Sequence, residues 1–180
     1  MKKIKTALIS VSEKKKLSKI LKTLYKHKVQ IISSGGTFKK IKKLGYKCLE
    51  VSKYTESKEI LNGRVKTLHP KIYAGILNKR ESRSHLKDLK KNNFENIDLV
   101  IVNFYPFEKT IANTKNHKKI IENIDVGGPT MVRAAAKNYK DVIVVTSSNQ
   151  YLELIDELIK YKGSTSLKFR EKQSRIAFTE

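Results

Sequence analysis

A chain of 180 residues suffices for one domain with a substantial core, and no apolar run nears the roughly 20 residues that a bilayer span requires. Lys and Arg total 39 against 17 Asp and Glu, a net charge of +22, yet Lys outnumbers Arg 33 to 6 and is spread along the whole chain. Base and phosphate readers favour clustered Arg, so the charge argues for a lysine-rich background with nonspecific attraction to polyanions, not a specific nucleic-acid interface.

The apolar run TALISV near the start is too short for a signal peptide and is followed by no small-residue cleavage site. Cys48 is the only cysteine, so no internal disulfide can form, and a reducing, cytoplasmic setting is expected. Residues 6–10 (TALIS) read as a short buried strand. Residues 15–27 carry Leu17, Ile20, Leu21 and Leu24 at helical spacing. Residues 30–33 (QIIS) are again strand-like, and SGGT then opens a helix with Phe38, Ile41 and Leu44 on one face, stopped by Gly45. Residues 47–51 suit a third strand. Strand and helix alternating at this spacing predict βαβ units and a parallel sheet.

Residues 52–80 break the rhythm and are too polar and irregular to be expected in the core. A helix is expected near residues 84–92, and DLVIVN (98–103) has the continuous apolar character of a central parallel strand. Tyr105-Pro106-Phe107 turns the chain, a short helix follows near 118–123, and Gly127-Gly128-Pro129 leads into another helix. DVIVVT (141–146) is the last clear strand, 151–161 an amphipathic helix, and 164–180 a sparsely apolar helix without a stop signal, as though the chain were cut inside a longer protein.

In open parallel sheets, ligands bind beyond the carboxyl ends of the strands. Polar clusters at predicted strand exits are Ser10–Ser12 with Lys14, Ser33–Thr37, Asn103–Phe107 and Thr146–Ser148. Gly35 and Gly36 let backbone approach a ligand, so Ser34 to Thr37 forms a plausible phosphate cradle or an ordinary β-to-α turn. Its spacing matches neither a dinucleotide fingerprint nor a P-loop. Asp125-Val126-Gly127-Gly128 is a second glycine turn, whose carboxylate suits an N-cap or a catalytic role. Lys137, near a helix end, suits the dipole as readily as chemistry. The four histidines and Cys48 show no metal-ligand spacing, and no G-x-S-x-G nucleophile turn is present.

ALISVSEK (7–14), IISSGGT (31–37), LNGRVKTLHPKIYAGIL (61–77), DLVIVNFYPF (98–107) and ENIDVGGPTMVRAAAKN (122–138) occur in an order that closely resembles one family. It is the amino-terminal domain of the bifunctional AICAR transformylase/IMP cyclohydrolase. The SGGT cradle is shared more widely with methylglyoxal synthase-like domains, whereas GRVKTLHP and DVGGPT…RAAAKN are particular to this family.

The resemblance implies an α/β, Rossmann-like, three-layer αβα fold with a mostly parallel sheet, of methylglyoxal synthase-like type. Residues 1–163 would form the cyclohydrolase domain and 164–180 the start of a connection to a transformylase domain. The implied reaction closes 5-formamido-imidazole-4-carboxamide ribotide to inosine monophosphate with loss of water, and involves no metal or organic cofactor. A homodimer is implied, and neither a membrane nor a specific nucleic acid.

By the same resemblance, Ser12, Lys14, Ser34, Gly36 and Thr37 hold the 5′-phosphate, and Arg64, Lys66 and Thr67 complete that wall. Asn103 and Tyr105 contact the base, Tyr105 donating to the oxygen that gains charge. Asp125 accepts from the carboxamide nitrogen, assisted by Val126, Gly127 and Gly128. Lys137 matches the family's proton donor and acceptor, and Lys66 can exchange roles with it. His69-Pro70-Lys71 is expected to fix the loop or meet a second subunit. A methylglyoxal synthase, or a nucleotide-sensing module without turnover, are the alternatives.

Overall fold

The computed structural model describes residues 1–104 and 107–179. In chain order these form β1 (Lys2–Lys3), β2 (Thr6–Val11), α1 (Leu17–Lys26), β3 (Gln30–Ser33), α2 (Gly35–Lys43), β4 (Leu49–Glu50) and α3 (Val51–Thr55). A 3-10 turn, Leu61–Gly63, precedes α4 (Pro70–Leu77), α5 (Arg83–Lys91), β5 (Leu99–Asn103), α6 (Phe107–Asn113), α7 (His117–Glu122) and α8 (Gly127–Lys137). After β6 (Ile143–Val145) come α9 (Tyr151–Lys160), β7 (Ser164–Thr165) and α10 (Leu167–Thr179).

Five strands make one sheet in the order β4-β3-β2-β5-β6, and every pairing is parallel. β1 and β7 pair separately, antiparallel. Side chains of a strand alternate between faces, and the two faces bury different helices. Ala7, Ile9, Leu99, Ile101, Ile143 and Val145 pack with Leu17, Ile20, Leu21 and Leu24 of α1 and with Leu154 and Leu158 of α9. Leu8, Val100, Val102 and Val144 pack with Ile72 and Ile76 of α4 and with Met131, Val132 and Ala134 to Ala136 of α8. The three-layer α/β arrangement implied by the sequence is therefore the one observed.

Segment 52–80 corrects the expectation that it stays out of the core. His69 caps α4, its Nδ1 accepting from Lys71 N at 3.1 Å, and Pro70 occupies the first turn, where its missing N–H costs nothing. Ile72 and Ile76, four apart, are fully buried. Gly75 is required because a β-carbon there would stand 2.7 Å from the Glu95 carbonyl oxygen. α6 was likewise unforeseen.

Residues 164–179 supply β7 and α10, and α10 lies against α8 and β6. This helix looked sparsely apolar because much of what it buries is polar: Arg170, Gln173 and Ser174. The Arg170 guanidinium donates to the carbonyls of Tyr139, Lys140 and Thr165, and Ser174 Oγ donates to Ala136 O. Among the described residues, no helix is long and apolar enough to cross a membrane.

Candidate functional site

β2 and β5 lie side by side, but the chain leaves β2 toward β3 and β5 toward β6, on opposite sides. The crevice at their carboxyl ends is the topological switch point, where ligands of such sheets bind. Four segments surround it.

The first joins β2 to α1. Asn103 Oδ1, at the end of β5, accepts from Ser12 N at 2.7 Å and from Glu13 N at 3.1 Å. The single Ser12 hydroxyl proton has two acceptors in reach, Asn103 Oδ1 at 2.9 Å and Phe104 O at 2.8 Å. Because Asn103 Oδ1 already serves two backbone donors, Phe104 O is the better acceptor. Asn103 and Ser12 thus fasten the two strand exits to each other.

The second joins β3 to α2. Gly35 has φ +53°, a conformation that glycine reaches without steric cost, and opens the helix. The N–H groups of Gly35, Gly36 and Thr37 precede the first intrahelical bond, from Phe38 N to Ser34 O, and face outward with the positive end of the helix dipole. The Ser34 hydroxyl makes no capping bond. Two ammonium groups flank this turn: a β-carbon at Gly35 would be 3.2 Å from Lys66 Nζ, and one at Gly36 would be 3.7 Å from Lys14 Nζ. Thr37 differs from expectation. Its hydroxyl accepts from Val11 N at 3.0 Å and donates to Val11 O at 2.9 Å, so its proton is committed to β2 and only its backbone N–H faces outward.

The third is the loop before α4. Lys66 Nζ pairs with Glu59 Oε1 at 2.5 Å, and Arg64 pairs with Glu122 of α7. The hydrogen bond between the latter two raises the Arg64 guanidinium and holds the Glu122 carboxyl below its ordinary value. Thr67 is buried, its Oγ1 only 2.5 Å from the position of a β-carbon at Gly127. The fourth is the turn into α8, where Asp125 Oδ1 accepts from Gly128 N at 2.9 Å.

Between the last three segments lies a cavity of about 570 Å³. It brings together Ser34, Arg64, Lys66, Thr67, Asp125, Val126, Gly127 and Gly128 of the expected residues, with Lys14 and Gly36 at the adjoining helix start. Ser10 and Met131 also line it, together with Ile121, Ile124 and Glu122. Ser12, Thr37 and Asn103 hold its walls from behind. Tyr105 lies outside the described residues.

Lys137 does not join them. It is the exposed last residue of α8, and ten residues of helical rise put it about 15 Å along the axis from Gly127. Sequence reasoning also passed over Glu59 and Glu122, the carboxylates paired with the loop cations. An acidic residue near a basic motif was the available signal.

A larger cavity, about 870 Å³, opens at the opposite, amino-terminal edge of the sheet. Its charged floor is occupied by structural bonds: Asp98 Oδ2 accepts from Lys5 N and Thr6 N, and Asp141 pairs with Lys2 at 2.6 Å. It has no glycine turn and no helix start, so the smaller cavity is the better candidate.

Residues 16–130 match the family model of the MGS-like domain, and residues 135–180 match that of the AICARFT/IMPCHase bienzyme. A bifunctional purine biosynthesis protein PurH from Bacteroides thetaiotaomicron is 47% identical over 177 residues, which are 98% of this chain and 35% of the relative. The PurH of a Prochlorococcus marinus strain is 52% identical over 174 residues, 96% of this chain and 33% of the relative. The chain therefore spans about a third of the length of these relatives. A crystal structure of ForH superposes with a TM-score of 0.85 at 26% identity, covering 98% of this chain and 92% of that one.

Proposed function

The chain belongs to the MGS-like domain family and matches the amino-terminal third of bifunctional PurH proteins, and on that premise we propose that it is an IMP cyclohydrolase. The substrate would be 5-formamido-imidazole-4-carboxamide ribotide and the product inosine monophosphate. The observation that carries this reading is the approach of Lys66 and Lys14 to the start of α2, across one cavity from the Asp125 turn. An anionic group belongs at the first and a hydrogen-bond donor at the second.

In this reading the 5′-phosphate sits on the N–H groups of residues 35–37, with Ser34, Lys14 and Lys66 around it and Arg64 and Thr67 as a wall. Asn103 backs the base-binding region, and Tyr105 is assigned a base contact on the resemblance alone. The Asp125 carboxylate accepts from the carboxamide nitrogen and turns its lone pair toward the formyl carbon. Nucleophile and electrophile share one molecule, so holding that rotamer supplies much of the acceleration. A C–N bond forms as the carboxamide nitrogen loses a proton and the former formyl oxygen gains charge and becomes a hydroxyl; the formamido nitrogen then loses its proton and forms a double bond to the same carbon, and the hydroxyl, protonated once more, leaves as water.

We assign the donor to that oxygen, and the proton step, to Lys66, whose side chain lines the cavity, rather than to the distant Lys137. No step needs a metal or organic cofactor. The proposal extends to a homodimer in the cytoplasm and, in a full-length protein, to an attached transformylase domain.

The test is turnover of the formamido ribotide by the 180-residue chain, read from the absorbance change on ring closure, with inosine monophosphate binding measured separately. Turnover is expected, with losses of roughly a hundredfold or more in Lys66→Ala and Asp125→Ala. Binding without any turnover would leave a nucleotide-sensing module. Methylglyoxal formed from dihydroxyacetone phosphate would replace the proposal with a synthase.

A further inference from the structure

The second half of DVGGPTMVRAAAKN has no place at the cavity, since α8 carries Arg133 to Asn138 away from it. The last of these residues, Asn138, is the C-cap of α8 and is buried. A buried side-chain amide calls for a reason, because its polar atoms must find partners or cost stability. Asn138 finds them on another helix. Its Nδ2 donates to Ile76 O at 2.8 Å and to Asn78 O at 2.9 Å, at the end of α4. Both partners are carbonyls, so it is the NH2 group of the amide that faces them.

The end of α4 depends on those donors, because a helix leaves its last carbonyls without partners of its own. Asn78, the C-cap of α4, folds its Nδ2 back on Ala74 O at 2.7 Å and Gly75 O at 3.0 Å. Asn138 then takes the carbonyls of Ile76 and of Asn78 itself, so the cap residue of α8 closes α4 as well. The backbone around Asn138 is held from the other side by α10. There Ser174 donates to Ala136 O, and Arg170 donates to Tyr139 O and Lys140 O. Asn138 thus reaches α4 from a fixed base.

The opposite ends of the same two helices meet at the cavity. Thr67, just before α4, has its Oγ1 2.5 Å from the β-carbon position of Gly127, the first residue of α8. The two helices therefore pack side by side in the same direction and touch at both ends. In its far half α8 gives the shared core cluster only Ala134, Ala135 and Ala136. Methyl groups make shallow ridges, which fix the register of two helices weakly. The Asn138 bonds supply that register, about 16 Å along the axis from Gly127. We propose that Asn138 is a positioning residue for the cavity: by locking the ends of α4 and α8 together, it aligns their starts, where Thr67 and Gly127 bring facing walls into contact. What those walls bind rests on the cyclohydrolase reading; the lock itself does not.

The experiment compares the wild-type chain with Asn138→Ala, Asn138→Ser and Leu158→Ala at a temperature where all are fully folded. Leu158 belongs to the core on the opposite face of the sheet, so Leu158→Ala is a control for lost stability alone. The amides of Gly128 and His69 donate to Asp125 Oδ1 and Thr67 O, in turns beside the cavity that open locally. In Asn138→Ala both should exchange with deuterium roughly fivefold faster, the scale of one lost hydrogen bond, and in Leu158→Ala at the wild-type rate. Inosine monophosphate affinity should fall roughly fivefold in Asn138→Ala and hold in Leu158→Ala. Asn138→Ser offers one donor in place of two and should show a smaller change in both. Gly127→Ala already parts the walls, so Asn138→Ala should cost less affinity in that background than alone, although substitutions this far apart ordinarily combine independently.

Exchange that quickens only near residues 74–78 and 138–142, or an undiminished effect in the Gly127→Ala background, would overturn the lock. Should Asn138→Ala not fold, Asn138→Ser decides by the same amides, wild-type rates at Gly128 and His69 overturning it. A wild-type chain that binds no inosine monophosphate would instead count against the cyclohydrolase reading, with exchange still deciding for or against Asn138.

Discussion

Thr67 Oγ1 stands 2.5 Å from the point that a β-carbon at Gly127 would occupy. The loop before α4 and the start of α8 therefore meet at a place where only hydrogen fits. Thr67 is buried and has little room to retreat. Gly127→Ala should force the two walls of the cavity apart. Inosine monophosphate affinity and ring-closure turnover should both fall at least roughly tenfold, while thermal stability drops only modestly. Gly45→Ala is the contrast: it has nothing within 4 Å, so its strain, from φ +84°, should lower stability and spare binding.

Lys66 and Glu59 form a 2.5 Å ion pair, with side chains 23% and 39% exposed. A phosphate entering beside Gly35 competes with Glu59 for the same ammonium. Glu59→Gln should tighten inosine monophosphate binding, by about twofold to fivefold given the modest strength of exposed pairs. The gain should shrink as salt rises. Calorimetric titration at two salt concentrations checks this, and weaker binding in Glu59→Gln would mean that the carboxylate helps to shape the site.

The strands and the helices on one face were legible because their apolar residues repeat at short range: Leu17, Ile20, Leu21 and Leu24 need no partner to be read as a helix face. α4 was hidden because its two buried isoleucines sit in eight residues beside a cluster of cations. In the site, the two glycine turns were legible for the same local reason. The roles of Thr37 and Ser12 were not, since their partners lie 26 and 91 residues away. Thr37 looks like a ligand donor until Val11 is seen to hold its proton. Lys137 stands apart from the cavity for a different reason: the motif that contains it is continuous in sequence, but a helix carries its two ends apart.

Arg170 is 2% exposed and is satisfied almost wholly by carbonyl oxygens: Tyr139 O and Lys140 O at 2.9 Å, and Thr165 O at 2.7 Å. It binds α10 to the end of α8 and to β7. Burial lowers its pKa, while Asp141 and Glu157 work the other way. Arg170→Ala leaves several carbonyls unpaired and should cost about 3 kcal/mol. That corresponds to a fall of roughly 6–12 °C in melting temperature for a chain of this size. Arg170→Lys should recover only part of it, because an ammonium lacks the planar fork. An unchanged urea midpoint in Arg170→Ala would show that α10 is not held by this residue.

His27 closes α1 with its Nε2 buried and unpartnered, and its ring lies 3.0 Å from where a β-carbon at Gly163 would be. Burial lowers its pKa, and Lys3 and Lys26 add to the effect. The unfolded chain therefore takes up a proton at His27 before the folded one does. The favourable contribution is complete above the unfolded value of about 6.5 and is lost as pH falls from there through the lower folded value. Asp141 acts in a separate window: burial pushes it upward, but Lys2 and Arg80 outweigh this and hold it low. Its contribution persists until the pH falls below the ordinary carboxylate value of about 3.9. Urea midpoints should thus decline between about pH 7 and 5 in the wild-type chain, more steeply than in His27→Gln. Equal slopes in the two proteins across that interval would remove His27 as the cause.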